Sequence, residues 1–147
     1  MESNTEKSVN GYMLLFRGKE WDEGLGPEEL KRTLDRFLSW TDGLAKSGKV
    51  KGGQPLDRTG VVLGRGGKSI ADGPFAETKE TVGGYLILDV DSLAEAIAIA
   101  KTSPGLDFDI TIEVRPVLNE CPAYKRIRER IGASQGNRLN AYLEQAA

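Results

Sequence analysis

The side chains of this sequence that could do chemistry are carboxylates, amines, guanidinium groups and hydroxyls, because the chain contains no histidine and a single cysteine, Cys121. That composition excludes Ser-His-Asp and Cys-His nucleophile pairs, histidine proton relays and the common zinc, haem and iron–sulfur ligand sets. Neither an EF-hand loop nor a tight carboxylate cluster is visible for Mg²⁺ or Ca²⁺. We therefore predict no metal site and no cofactor. Cys121 precedes a predicted helix start at Pro122, where a thiolate is favoured, but it lacks a base or a second cysteine.

A polar loop carries the first group of candidate residues. Glu77, Thr78 and Lys79 supply a carboxylate, a hydroxyl and an amine, which suffices for ligand binding or weak general acid/base work. Asp72 stands in the preceding Gly-Pro turn and could orient a ligand there. The structural alternatives are a solvated turn for the three residues and, for Asp72, acceptance of backbone N–H groups within its own turn.

A second group of candidates lies on predicted strands. Glu113 and Arg115 are two residues apart and therefore share a face of the sheet. Arg115 could hold a carboxylate ligand through its bidentate guanidinium group, although a structural ion pair at an interface fits equally well. Arg17, Trp21 and Tyr85 could line the same cleft, or serve as a strand end, a loop anchor and a core residue. The predicted ligand-binding residues are Asp72, Glu77, Arg115, Arg17 and Tyr85.

The segment Gly64–Ser69 (GRGGKS) invites a phosphate-loop interpretation that the sequence does not support. A P-loop needs a further glycine five residues before Gly67, where Val62 stands, and a helix after the loop. A hairpin turn, formed between Gly60–Leu63 and Lys68–Ala71, is predicted instead.

The remaining elements follow from hydrophobic periodicity and from turn residues. Strands are predicted at Tyr12–Arg17, Val50–Leu56, Tyr85–Val90 and Ile110–Val117. A helix is predicted over Glu28–Ser47, with an apolar stripe at Leu30, Leu34, Phe37, Leu38, Thr41, Leu44 and Ala45. A second helix is predicted to start after Ser92, which forms a capping box with Glu95 three residues later. Its predicted buried stripe is Leu93, Ala96, Ile97 and Ala100. A terminal helical segment runs from Pro122 to Ile131.

This order of elements predicts an α+β fold, the ferredoxin-like plait, with both helices on one face of an antiparallel sheet. Alternation places Tyr12 and Leu14 on one face of the first strand and Met13 and Leu15 on the other, so both faces are apolar. Leaving one face in water would forfeit about 1.5–3 kcal/mol per large side chain. Either a second copy of the chain or the C-terminal helical segment must cover it, and we predict a twofold homodimer.

Composition narrows the class of protein further. The chain has 147 residues, enough for one domain, and its net charge of -2 gives no positive field for nucleic acid. The basic cluster from Lys125 to Arg130 is interrupted by Glu129 and is interpreted as a solvated helix face. No apolar run could span a membrane, and the polar segment Met1–Asn10 is no signal peptide. We expect a cytoplasmic protein that binds neither membrane nor nucleic acid.

Three stretches together resemble the YciI-like (YCII-related) family, DGPF subgroup. They are Asp72–Glu80 (DGPFAETKE) with Gly83-Gly84-Tyr85, Asp89–Ala96 (DVDSLAEA) and Ile112–Val117 (IEVRPV). The resemblance covers roughly residues 11–118 and implies the dimeric α/β-barrel form of the ferredoxin-like plait. It gives a flexible polar N-terminus over 1–10, a YciI-like domain over 11–118 and a C-terminal helical extension over 119–147.

The resemblance implies little about activity. Some members of the family carry a proposed His–Asp pair near the first helix, with the histidine shortly after a proline. Here Pro27 is followed by Glu28 and Glu29, so that pair is not carried over. Two hypotheses therefore stand: a dimeric protein that binds a small molecule in a cleft between sheet and helices, or a non-enzymatic accessory or regulatory protein. The association of the DGPF subgroup with sigma-factor-type genes motivates the second.

Overall fold

The computed structural model describes residues 9–18, 20–70 and 81–131. Their secondary structure comprises strands β1 (Val9–Gly18), β2 (Val50–Pro55), β3 (Thr81–Leu88) and β4 (Ile110–Leu118), and helices α1 (Pro27–Lys46), α2 (Leu93–Lys101) and α3 (Pro122–Ile131). Short 3₁₀ turns occur at Arg65–Gly67 and Pro104–Asp107. None of the helices in these ranges is long and apolar enough to cross a membrane.

The four strands form one antiparallel sheet in the order β2-β3-β1-β4. β1 occupies a central position between β3 and β4, while α1 and α2 connect β1 to β2 and β3 to β4. Two β-α-β halves of this kind are consistent with a ferredoxin-like fold. The predicted α+β class and antiparallel sheet are therefore confirmed, whereas the dimeric barrel remains a prediction.

The core lies between the sheet and the two helices that cover one of its faces. Tyr12 pairs with Leu88 and Leu14 with Leu86 across β1 and β3, so these side chains share a face. Leu14 and Leu88 are fully buried, and the buried Ala96 of α2 belongs to the same cluster. The predicted division of the two strand faces is thus confirmed.

The predicted buried stripe of α2 was partly wrong. Leu93 and Ile97 are 44% and 37% exposed, whereas Ala96 and Ala100 are buried and Ile99 packs against the core. Positions three and four apart share one side of a helix, so the two alanines and Ile99 form the stripe that meets the sheet. Small side chains at its centre let the helix lie close to the strands.

The N-terminus of α2 forms half of the predicted capping box. The Ser92 hydroxyl accepts the Glu95 backbone N–H at 3.1 Å, as a capping box requires. The Glu95 carboxylate, however, accepts a hydrogen bond from Nζ of Lys49 at 2.8 Å. That hydrogen bond raises the pKa of Lys49 and ties the start of β2 to α2.

The predicted apolar stripe of α1 was partly wrong, since Leu34, Leu38 and Ala45 are exposed, while its other members, Leu30, Phe37, Thr41 and Leu44, are half-buried. Leu34 and Leu38 are 56% and 57% exposed, while Thr33 is buried and Trp40 packs against the core. The Thr33 hydroxyl donates to the Glu29 carbonyl at 2.8 Å, which satisfies this buried polar group within the helix. Trp40 therefore carries the contact of the helix with the core, and Leu34 borders an open space between the helix and the sheet.

The predicted hairpin after β2 is reduced to a tight turn. Its backbone pairs through one bridge between Leu63 and Ser69, with the N–H of Gly64 donating to the Lys68 carbonyl at 2.7 Å. Gly66 and Gly67 have φ of 76° and 77°, a left-handed conformation that favours glycine. No regular strands form beside the turn within residues 60–70. Ala71 lies outside the described residues.

Candidate functional site

A cleft of about 640 Å³ opens between α1 and the sheet. It lies at the C-terminal ends of β1 and β2 and the N-terminal end of β3, which meet because the strands are antiparallel. The loop after β1, which carries Trp21, and the loop after β2, which carries Arg58, also border it. We refer to this space, between α1, the Trp21 loop and the three strand ends, as the cleft.

The floor of the cleft contains two glycines that the strand geometry requires. Gly53 pairs with Leu86 and Gly84 with Phe16, so both positions belong to the face that α1 covers. A Cβ atom on Gly53 would lie 2.7 Å from the Tyr85 carbonyl oxygen, and one on Gly84 would lie 3.1 Å from that of Gln54. Because β2 and β3 approach so closely, neither position can carry a side chain without movement of a strand. The floor therefore presents bare backbone to α1.

The walls of the cleft are aromatic. The ring of Trp21 lies 5.7 Å from that of Phe37 and 5.2 Å from that of Phe108, in tilted arrangements. Trp40 meets Phe16 edge to face at 6.3 Å between centroids. These distances fall within the range that favours aromatic pairs.

A hydrogen bond orients Trp40 within the wall. Its indole Nε1 donates to the Thr102 hydroxyl at 2.8 Å, and that hydroxyl donates in turn to the Ile99 carbonyl at 2.6 Å. The ring of Trp40, which lines the cleft, is thus anchored to the end of α2. The contacts within each group of rings and the hydrogen bond of Trp40 hold the wall in place.

Charged residues gather at the mouth of the cleft. Arg58 forms an ion pair with Glu20, and Asp22 lies beside them in the lining. A hydrogen bond with the Glu20 carboxyl group, together with repulsion by its charge, raises the pKa of Glu23 above its ordinary value. Glu20 and Asp22 outnumber Arg58 at the mouth, because Arg17, which also borders the cleft, directs its side chain to the opposite face of the sheet, beside Glu113.

The opposite face of the sheet holds several of the residues predicted for the site. We call it the open face; it carries Met13, Leu15, Tyr85 and Ile87, all half-buried. Glu113 lies there between two arginines, with its Oε1 3.7 Å from Nη2 of Arg17 and its Oε2 3.9 Å from Nε of Arg115. The predicted pairing of Glu113 with Arg115 exists, but as a loose ion pair.

Three of the five predicted ligand-binding residues are described, and Arg17, Tyr85 and Arg115 lie together on the open face and not in the cleft. Arg17 and Tyr85 border the cleft through their strands, although alternation along those strands places their side chains on the open face. Arg115 is outside the cleft and its side chain is 69% exposed. Asp72 and Glu77 lie outside the described residues. Trp21, which was considered beside them, does line the cleft.

Sequence reasoning missed the residues that shape the cleft. Phe37 and Leu34 were assigned to an ordinary buried helix stripe, and Trp40 was not considered. The paired glycines Gly52-Gly53 and Gly83-Gly84 were the available signal, because a glycine inside a strand marks a place where another backbone or a ligand approaches closely. Within the described ranges no group of three or more acidic or cysteine residues is placed to hold a metal ion.

Comparison with known proteins gives the family. The family model described as YCII-related domain matches residues 11–120, well over half of the chain. A search of curated proteins finds no match. The match begins at the third residue of β1 and ends just after β4, so it includes every strand of the sheet. The chain belongs to the YCII-related family.

Proposed function

We propose that this chain is a small-molecule-binding protein that works as a homodimer and binds its ligand in the cleft. The observation that carries the proposal is the cleft of about 640 Å³ with an aromatic wall and a backbone floor. Ligand pockets in proteins usually measure about 300–1,000 Å³ and combine an apolar lining with a few polar groups. The cleft matches that description in size, lining and shape.

The polar groups near the cleft are few and suited to orienting a ligand. Thr81 is a nearly buried polar side chain at the strand end of the cleft, with 8% of its surface exposed. The Thr41 hydroxyl is already engaged, since it donates to the Phe37 carbonyl at 3.0 Å. A ligand in the cleft would therefore gain its affinity mainly from apolar burial and its orientation from Thr81 and the mouth.

A thermal-shift screen with a matched pair of variants tests the proposal. The panel contains fragment-sized aliphatic, aromatic, charged and uncharged compounds. Leu34→Glu places a charge in the cleft, while Leu38→Glu places the same charge one turn further along α1 at a position of equal exposure, 57% against 56%. Binding at one hundred times Kd adds about 2.7 kcal/mol, or roughly 5–10 °C in Tm for a chain of this size.

We expect compounds that raise the Tm of the wild type to act equally on Leu38→Glu and to lose their effect on Leu34→Glu. The site is rejected if the active compounds stabilise both variants alike. A panel in which no compound raises the Tm of the wild type counts against small-molecule binding itself.

The dimer is proposed because the open face is apolar and its own chain leaves it partly exposed. Tyr124, Ile127 and Ile131 of α3 are 39%, 47% and 67% exposed, so the described part of the C-terminal segment does not pack its apolar side on the sheet. The group Arg17, Glu113 and Arg115 places opposite charges next to the apolar centre of that face. A twofold axis could bring Arg115 of each copy toward Glu113 of the other, which makes a second copy of the chain the favoured occupant.

Light scattering with size-exclusion chromatography tests the dimer. The wild type should elute with twice the chain mass of 16.0 kDa, and Leu15→Glu on the open face should elute as a monomer. Leu38→Glu, on α1, is the control and should remain dimeric. A monomeric wild type at micromolar concentration contradicts this part of the proposal.

A further inference from the structure

We infer that the ligand of the cleft has a flat, aromatic body and carries no negative charge. The inference rests on the proposed function and specifies its ligand class. Three features of the cleft lead to it: the backbone floor, the aromatic wall and the charges at the mouth.

The floor and the wall together favour a flat body. Gly53 and Gly84 contribute no side chain on the side of α1, so the floor is the pleated surface of two adjacent strands. Trp40 stands on α1 and its ring is fixed by the hydrogen bond to Thr102. A planar molecule can lie against backbone on one side and against fixed rings on the other without moving either, whereas a bulky aliphatic body has no recess to fill in the floor.

The wall favours an aromatic body over an apolar body of equal size. Trp21 and Phe37 lie at 5.7 Å and tilted, an arrangement that leaves ring faces and ring edges for a further ring. Aromatic pairs gain about 0.5–1.5 kcal/mol beyond the burial of their area, which corresponds to about 2–10-fold in affinity. Both tryptophans of the chain line this one space.

The charges at the mouth disfavour an anion. Arg58 at the mouth is paired with Glu20, and the side chain of Arg17 lies on the open face beside Glu113. Asp22 adds a further carboxylate to the lining. A carboxylate on the ligand would meet repulsion at the mouth and would have to compete for an arginine that already has a partner.

Three compounds with the same fused-ring skeleton test the inference by isothermal titration calorimetry on the full-length protein. They are 2-naphthol, which is flat and uncharged at pH 7, its saturated analogue decahydro-2-naphthol, and the anion 2-naphthoate. We expect 2-naphthol to bind about 2–10-fold more tightly than the saturated analogue and more than about 10-fold more tightly than the anion. Trp21→Leu keeps the wall apolar and should bring the two uncharged compounds to within about 2-fold of each other.

The outcomes separate the ligand class from the function. If the saturated compound or the anion binds wild type as tightly as 2-naphthol does, and Leu34→Glu abolishes that binding, the inference is wrong and the cleft still binds small molecules. If none of the three compounds binds, the inference is overturned as well, and the mixed panel then decides whether the cleft binds other chemistry. An unchanged preference in Trp21→Leu, with its far-UV circular dichroism intact, also contradicts the aromatic argument.

Discussion

The two neighbouring glycines of β2 should respond to alanine in opposite directions. A Cβ atom on Gly53 would lie 2.7 Å from the backbone oxygen of Tyr85 and 2.6 Å from Cδ2 of Leu86, where ordinary contacts begin at about 3.4 Å. The leucine methyl group can turn away, but the carbonyl belongs to β3 and can move only with the strand. On Gly52 the nearest atom to a Cβ would be Cδ1 of Ile87 at 3.7 Å, which is an ordinary contact.

These distances give the magnitudes. Forcing extra atoms into a packed site costs about 1–3 kcal/mol, which for Gly53→Ala lowers Tm by roughly 2–12 °C in a chain of this size. Gly52→Ala removes conformational freedom from the unfolded chain without a clash and should stabilise the fold by about 0.4–1 kcal/mol. The two substitutions add the same methyl group to adjacent positions, so composition and hydrophobicity are matched.

Urea denaturation followed by far-UV circular dichroism is the appropriate assay. Both variants and the wild type are measured at one protein concentration, because a dimer adds a concentration-dependent term to stability, and their oligomeric state is checked by light scattering. We expect the midpoint to fall for Gly53→Ala and to rise slightly for Gly52→Ala. Equal midpoints, or a more stable Gly53→Ala, would refute the close approach of β2 and β3 that leaves the cleft floor bare.

Two further predictions concern the surroundings of the cleft. Arg58 lowers the pKa of Glu23, so Arg58→Gln should raise that pKa further, which an NMR titration of the glutamate carboxyl carbons measures. The folded pKa of Glu23 exceeds the unfolded value of 4.5, so the contribution of this carboxyl group to folding stability is complete below pH 4.5 and is lost as the pH rises through the folded pKa. An unchanged Glu23 pKa in Arg58→Gln contradicts the charge arrangement at the mouth. Trp40→Phe and Thr102→Val each remove the same hydrogen bond of 2.8 Å, so each should cost about 1 kcal/mol of folding stability. In a double-mutant cycle the two substitutions should show a coupling of at least about 0.5 kcal/mol. Purely additive effects would show that this hydrogen bond does not hold the Trp40 ring.

The order of the elements and the faces of the sheet were predictable from the sequence because they depend on local periodicity. Alternation in β1 and β3 assigned Tyr12 and Leu14 to one side and Met13 and Leu15 to the other, and the register of the strands confirms it. Ser92 identified the start of α2, because its hydroxyl accepts the N–H three residues later. Signals of this kind act within a few residues and survive in any tertiary context.

The cleft was not predictable in the same way because it depends on how α1 is rotated against the sheet. Periodicity within α1 does not show which of its apolar residues pack and which border open space. In the structure Trp40 packs against the core, whereas Leu34 is exposed into the cleft above Gly53 and Gly84, a space that only the folded sheet defines. The prediction that Arg115 binds a ligand stays a prediction; its side chain lies beside Glu113 on the open face, outside the cleft.

Methyl-detected NMR with 2-naphthol tests the central claim of this account, that the ligand site is the cleft and not the open face. Leu34 and Ile110 place methyl groups in the cleft, and Met13 and Ile87 place theirs on the open face, so one spectrum of the labelled protein observes both. We predict concentration-dependent shifts of the Leu34 and Ile110 signals while those of Met13 and Ile87 stay in place. Shifts confined to Met13 and Ile87 would contradict the account.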